Sequence, residues 1–259
     1  MHSSSRFRGG VVSGVLAALG LLAAGCGSSL KEQDVDLAGL SGRTLLYTHA
    51  DVDLFELEQA AGSHRVTVTF SQAGGDVCTR LNEGVTATFN GEPMQVERGG
   101  VDGTAGRDLC LPTRAFFDYA PDEWAALPPT DARVVFQDGS GTTITVVMKE
   151  AQAKRSFDGV SDVQRLLRGQ SYSYQWMPST EKLESAGATL LAEGSAVTAT
   201  LTTTRDGGRI TFTVPPNLGA ATHLLTVRGQ VQGEVLECTG VTSCSGTYFH
   251  SEEQVVSVQ

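Results

Sequence analysis

The sequence predicts an all-β protein made of two tandem β-sandwich domains. Three observations predict it. Short segments alternate apolar and polar residues with the period of a half-buried strand. Turn signals rich in Asn, Asp and Gly recur about every ten residues. Convincing helical periodicity is confined to two brief stretches. Strands of five to eight residues separated by such turns are the pattern of a sandwich.

The first element is not a strand. Residues 1–10 hold Arg6 and Arg8 and no acid, and Val11 to Ala24 carries no charge and only one polar side chain, Ser13. A positive start followed by a short apolar run is a secretory signal, too short for the ~20 apolar residues a membrane-spanning helix needs. The run ends Leu21-Leu22-Ala23-Ala24-Gly25-Cys26. This resembles the lipobox of bacterial lipoproteins, although Ala23 stands where Leu or Val is usual. The resemblance implies cleavage after residue 25 and lipid attached to Cys26. It also implies a cell-envelope address on the outer membrane, because Gly27 and not Asp follows the cysteine. In a cell with a single membrane the same chain would sit on its outer face. Residues 26–42 are then expected to be a lipid-anchored, flexible tether, since Gly, Ser, Lys, Glu and Asp dominate there.

Domain 1 is expected over residues 43–150. Arg65 to Phe70 places Val66, Val68 and Phe70 on one face. Val85 to Phe89 and Pro93 to Val96 flank Asn90-Gly91, a hairpin signal because both residues tolerate positive φ. Pro121 to Leu127 reads as one helical turn, stopped by Pro128-Pro129. Ala132 to Phe136 and Thr142 to Val147 flank Asp138-Gly139-Ser140-Gly141, a second hairpin.

Domain 2 is expected over residues 151–259, with the boundary in the mixed segment Lys149 to Phe157. Ser161 to Gly169 reads as a short helix. Ser171 to Trp176 alternates strictly, with Tyr172, Tyr174 and Trp176 on one face. Ala196 to Thr203 and Arg209 to Val214 flank Asp206-Gly207-Gly208 as a hairpin. Thr222 to Val231 and Thr247 to Val258 form the last pair. The aromatic strand ending Trp176-Met177-Pro178, the central hairpin, Pro215-Pro216-Asn217-Leu218-Gly219 before a strand and the terminal pair resemble a bacterial immunoglobulin-like domain. The first half resembles one more loosely.

Composition excludes some partners. The chain carries a formal charge of −10. Losing Arg6 and Arg8 with the signal leaves 17 basic against 29 acidic residues. Such a surface repels phosphate backbones, so nucleic acid is excluded as a partner. With Cys26 carrying lipid, four cysteines remain: Cys78, Cys110, Cys238 and Cys244. Outside the cytoplasm disulfides persist. Of three possible pairings, the local one is expected, Cys78 with Cys110 and Cys238 with Cys244, each within one domain. Cys238 and Cys244 would staple the tip of the last hairpin. A zinc site is not expected, because no second close cysteine pair matches this one.

Candidate chemistry is sparse. His49, His64, His223 and His250 are scattered and fall in no catalytic motif. Asp51 and Asp53 share a strand face with His49 and could offer calcium two carboxylates. A calcium loop needs more oxygen ligands and a turn glycine, so a solvated strand edge is the expected state, and no metal or cofactor is expected. Tyr172, Tyr174 and Trp176 could stack on sugars, as could Phe116, Phe117 and Tyr119. Both sets are expected to be sandwich core instead. The reading is a non-catalytic envelope module, held to the membrane through Cys26, that serves protein interaction or envelope structure with an envelope protein as partner. The alternatives are a carbohydrate or small-ligand module with exposed aromatics, and a hydrolase with a histidine in a deep polar pocket between domains.

Overall fold

The computed structural model describes residues 30–55, 61–72, 74–104 and 108–259. The signal segment 1–25 and Cys26 lie outside the described residues. In chain order the first half forms β1 (Lys31–Val35), β2 (Thr44–Asp53), β3 (His64–Phe70), β4 (Val77–Leu81), β5 (Thr86–Phe89), β6 (Glu92–Pro93), β7 (Gln95–Glu97), β8 (Gly100–Asp102), β9 (Leu109–Leu111), β10 (Arg114–Asp118), α1 (Pro121–Ala125), β11 (Thr130–Gln137) and β12 (Thr143–Gln152). The second half forms β13 (Ser156–Asp158), β14 (Arg165–Leu166), β15 (Ser171–Met177), β16 (Leu183–Ala192), β17 (Thr198–Thr200), β18 (Thr202–Asp206), β19 (Arg209–Thr213), β20 (Ala221–Gly233), β21 (Val235–Thr239) and β22 (Ser243–Val258). Among the described residues no helix is long and apolar enough to cross a membrane.

The protein is almost entirely β and built of packed sheets, as expected. One sheet serves both halves. It runs β17-β16-β20-β22-β2-β3-β10-β7, with β14 also on β22. A five-stranded sheet, β21-β12-β11-β5-β6, covers one part of it, and a four-stranded sheet, β13-β15-β19-β18, covers the other. Phe70 of β3 meets Phe136 of β11 edge to face across the first sandwich, ring centres 5.0 Å apart. Trp176 of β15 meets Phe157 and His250 in the second.

The strand β22 joins the two. Its residues 243–252 pair in parallel with β2, and residues 246–258 pair antiparallel with β20. The strand β21 leaves the second half altogether and pairs with β12. The hydrogen-bonded sheet therefore crosses the boundary expected at residue 150. That expectation came from local composition, which carries no record of a strand returning about 200 residues later. Close packing against both covers needs bare backbone on the shared sheet: a Cβ on Gly246 would overlap Met148 of β12, and one on Gly229 would overlap Leu183, Phe157 and Trp176.

Three local expectations need correction. Residues 31–42 are not tether: β1 pairs in parallel with β4, and a 3-10 turn at Leu37–Leu40 is capped by Asp36 and buries both leucines. Burying that apolar pair offsets the cost of ordering a polar stretch. Residues 161–169 form no helix; β14 pairs in parallel with β22 there. Residues 196–203 are not one strand, since β17 and β18 belong to different sheets. Buried Leu201 lies between them. The hairpin turn at Asn90-Gly91 forms as expected, with φ of 50° and 91°. The turn of α1 also forms.

Both expected disulfides form, Cys78–Cys110 and Cys238–Cys244. The second ties β21 to β22 and so fixes the chain where it passes from one cover sheet back to the shared sheet.

Candidate functional site

The strand β2 carries His49, Asp51 and Asp53 at alternate positions, on the face turned to the core. It lies inside the sheet. Asp51 opposes His64 of β3 on one side and His250 of β22 on the other. Asp51 is 1% exposed, and His49 and His250 are fully buried. The solvated strand edge expected for this stretch is therefore wrong. The reason is the parallel pairing with β22, which covers what would have been an edge.

Three of the four histidines outside the signal segment thus converge on Asp51. His64 Nδ1–H donates to Asp51 Oδ1 at 2.7 Å, and its Nε2 has no hydrogen-bond partner. His250 Nδ1 stands 3.5 Å from Asp51 Oδ2, and its Nε2 stands 3.7 Å from Glu252 Oε2. Both are ion-pair distances, longer than ordinary hydrogen bonds. Burial pushes the His250 imidazole down, but the carboxylates of Asp51 and Glu252 outweigh it and hold the ring's pKa up at about 9. Burial likewise pushes Asp51 up, and the histidines outweigh it, leaving its pKa at about 2.

His49 is the opposite case. Burial and the Arg155 guanidinium lower its pKa to about 3, so its imidazole is neutral. Arg155 Nη1–H reaches His49 Nδ1 at 3.4 Å. His49 Nε2–H then donates to the Tyr119 hydroxyl at 2.6 Å, and that hydroxyl donates to the carbonyl of Ala50 at 3.3 Å. The chain of donors and acceptors closes only with this tautomer. Tyr119 in turn stacks on Trp124 of α1, ring centres 3.8 Å apart.

Arg155 sits in the segment between β12 and β13 where a domain boundary was expected, and its side chain is 1% exposed. Its guanidinium donates to the carbonyls of Ala151 and Ala153 and forks onto Glu181 at 2.8 and 3.3 Å. Glu181 also accepts the indole N–H of Trp176 at 2.7 Å. A segment rich in charge reads as a solvated linker in sequence. Here one arginine makes it the most heavily bonded part of the junction.

The expected aromatic stripe is core. Trp176 is fully buried and Tyr174 is buried, while Tyr172 is half-buried and stacks on Phe212. Phe117 stacks on Phe89, whereas Phe116 lies on the other face under Arg65. His223 is buried away from the cluster, on the Ala221 carbonyl. A cleft of about 400 Å³ opens beside the cluster, lined by Asp53, Lys154, Asp158, Asp162 and Glu252 among others. Sequence reasoning missed His64, His250, Glu252 and Arg155 as a group. Only the burial alternation of β2 pointed there.

No protein-family model and no curated protein matches the chain. Solved structures of low identity do. One is the SGBP-B protein of the Bacteroides ovatus mixed-linkage glucan utilization locus in complex with a mixed-linkage heptasaccharide. It is 12% identical, with 76% of this chain and 53% of that chain covered and a TM-score of 0.20. A three-immunoglobulin-domain structure of titin is 7% identical over 88% and 62%, with a TM-score of 0.24. The chicken CNTN1 fibronectin-domain structure is 11% identical over 75% and 62%, with a TM-score of 0.20. The chain spans about half to three fifths of the length of these structures. Such likeness supports no argument about activity; the fold class stands on the sheets themselves.

Proposed function

We propose that the protein is a non-catalytic module of the cell envelope, anchored by lipid on Cys26, that presents a rigid surface to another envelope protein. The supporting observation is the single sheet shared by both sandwiches and bolted at Arg155. A joint built this way does not hinge, and a module that must hold a surface at a fixed place needs no hinge. The large aromatics and the histidines are spent inside it, which leaves no exposed stacking platform at Trp176. The first strand among the described residues begins at Lys31, five residues after Cys26. At no more than about 3.6 Å per residue, the anchor would hold the first sandwich within roughly 18 Å of the lipid.

The deciding experiment is crosslinking in cells of the tagged protein against a Cys26→Ala control. One envelope protein enriched only with the anchored form supports the reading. Equal and empty captures overturn the interaction. A Cys26→Ala form that still fractionates with membranes overturns the anchor.

A further inference from the structure

The geometry points to a divalent transition-metal site formed by His64 and Asp53 with Asp51 beside them, next to the cleft that Asp53 and Glu252 line. The ring of His64 is 4% exposed, and its Nε2 is buried with no hydrogen-bond partner. Leaving such an atom unpartnered costs about 1–3 kcal/mol. That nitrogen is directed at Asp53, whose Oδ1 is 3.8 Å away. Ligand atoms of Asp51, Asp53 and His64 all lie within 4.8 Å of one another.

The arrangement has the order of a metal site. Asp51 accepts the Nδ1–H of His64 and so orients the ring with Nε2 towards Asp53, as a carboxylate behind a metal-bound histidine does. Asp53 and Glu252 are register partners on neighbouring parallel strands and line the same cleft, so the Asp53 carboxylate is reached from the solvent side while Glu252 stays on His250. Two ligands about 2.0–2.1 Å from one tetrahedral ion are about 3.4 Å apart. The half-buried Asp53 therefore needs to move by less than an ångström. Water from the cleft would complete the shell.

One imidazole with two carboxylates suits zinc and its neighbours, whereas calcium takes oxygen ligands. Lys154 is the competitor. Its ammonium lies 3.6 Å from Asp53 Oδ2 and must swing into the cleft when an ion enters.

The test is calorimetric titration of the chelator-treated protein with zinc chloride, with the thermal midpoint followed in zinc, in cobalt and in calcium. One zinc per chain and a midpoint raised by zinc and cobalt, but not by calcium, are expected. Asp53→Asn, at the solvent side, should fold normally and weaken zinc binding by about tenfold or more. His64→Gln should abolish binding, and Lys154→Ala should tighten it. No response to zinc overturns the site. So does a response that survives unchanged in Asp53→Asn, or an equal response to calcium.

Discussion

The guanidinium carbon of Arg155 lies over the ring of Tyr248, 3.7 Å from its centre. Tyr248 belongs to β22, the strand both sandwiches share, and Arg155 to the segment between their cover sheets. A buried cation on an aromatic face contributes about 2 kcal/mol or more. With its fork on Glu181, this contact fixes how the two covers sit on one sheet.

Removing that cation tests the joint. Arg155→Ala leaves Glu181 without its partner and Tyr248 without its cover, and breaking a buried ion pair from one side costs about 3–5 kcal/mol. The midpoint of urea unfolding should fall accordingly. Arg155→Lys keeps the charge but loses the planar fork, so its loss should be intermediate. A change under about 1 kcal/mol in Arg155→Ala would show that the covers are held by apolar packing alone.

Stability should fall in mild acid because of His49. Its folded-state pKa is depressed to about 3 from 6.5. Below pH 6.5 the unfolded chain takes up a proton that the folded protein refuses. The stabilisation is thus complete above pH 6.5 and is lost as pH falls towards 3. With one pH unit equivalent to about 1.4 kcal/mol, the loss is about 2 kcal/mol at pH 5. Calorimetric scans between pH 6.5 and 5, below the range where His250 with its pKa of about 9 gains a proton on folding, should show it, and the same scans of His49→Gln should be flatter.

Tryptophan emission separates core from platform. Trp176 is fully buried and Trp124 is 5% exposed. Emission should be blue-shifted, poorly quenched by acrylamide, and unchanged by cell-wall oligosaccharides. A saturable shift with any of those sugars would restore the ligand-binding alternative.

The disulfides should differ in weight. The chain-entropy account gives about 4 kcal/mol for Cys78–Cys110 and about 2 kcal/mol for Cys238–Cys244, from loops of 32 and 6 residues. Paired serine variants, Cys78→Ser with Cys110→Ser and Cys238→Ser with Cys244→Ser, should unfold in that order in urea. Equal losses would mean that the short bridge acts by holding β21 on β12.

The sequence by itself determined the strictly alternating strands, the glycine turns and the local disulfides, but not β1, β14 or β16. These depend on residues close together in the chain. The alternation of Arg65 to Phe70, the positive-φ pair Asn90-Gly91 and the stripe from Tyr172 to Trp176 each state a face or a reversal locally. It also carried the alternation of His49, Asp51 and Asp53 on one face. Tertiary structure decided where that face points. Asp51 is buried and not solvated because β22 returns in parallel beside β2, and parallel pairing between distant segments leaves no turn in sequence to announce it. The same return brings His250 and Glu252 to the cluster. It also turns the charged segment around Arg155 from an expected linker into the joint, because a buried cation is recognised only by the carboxylate and ring that meet it in space.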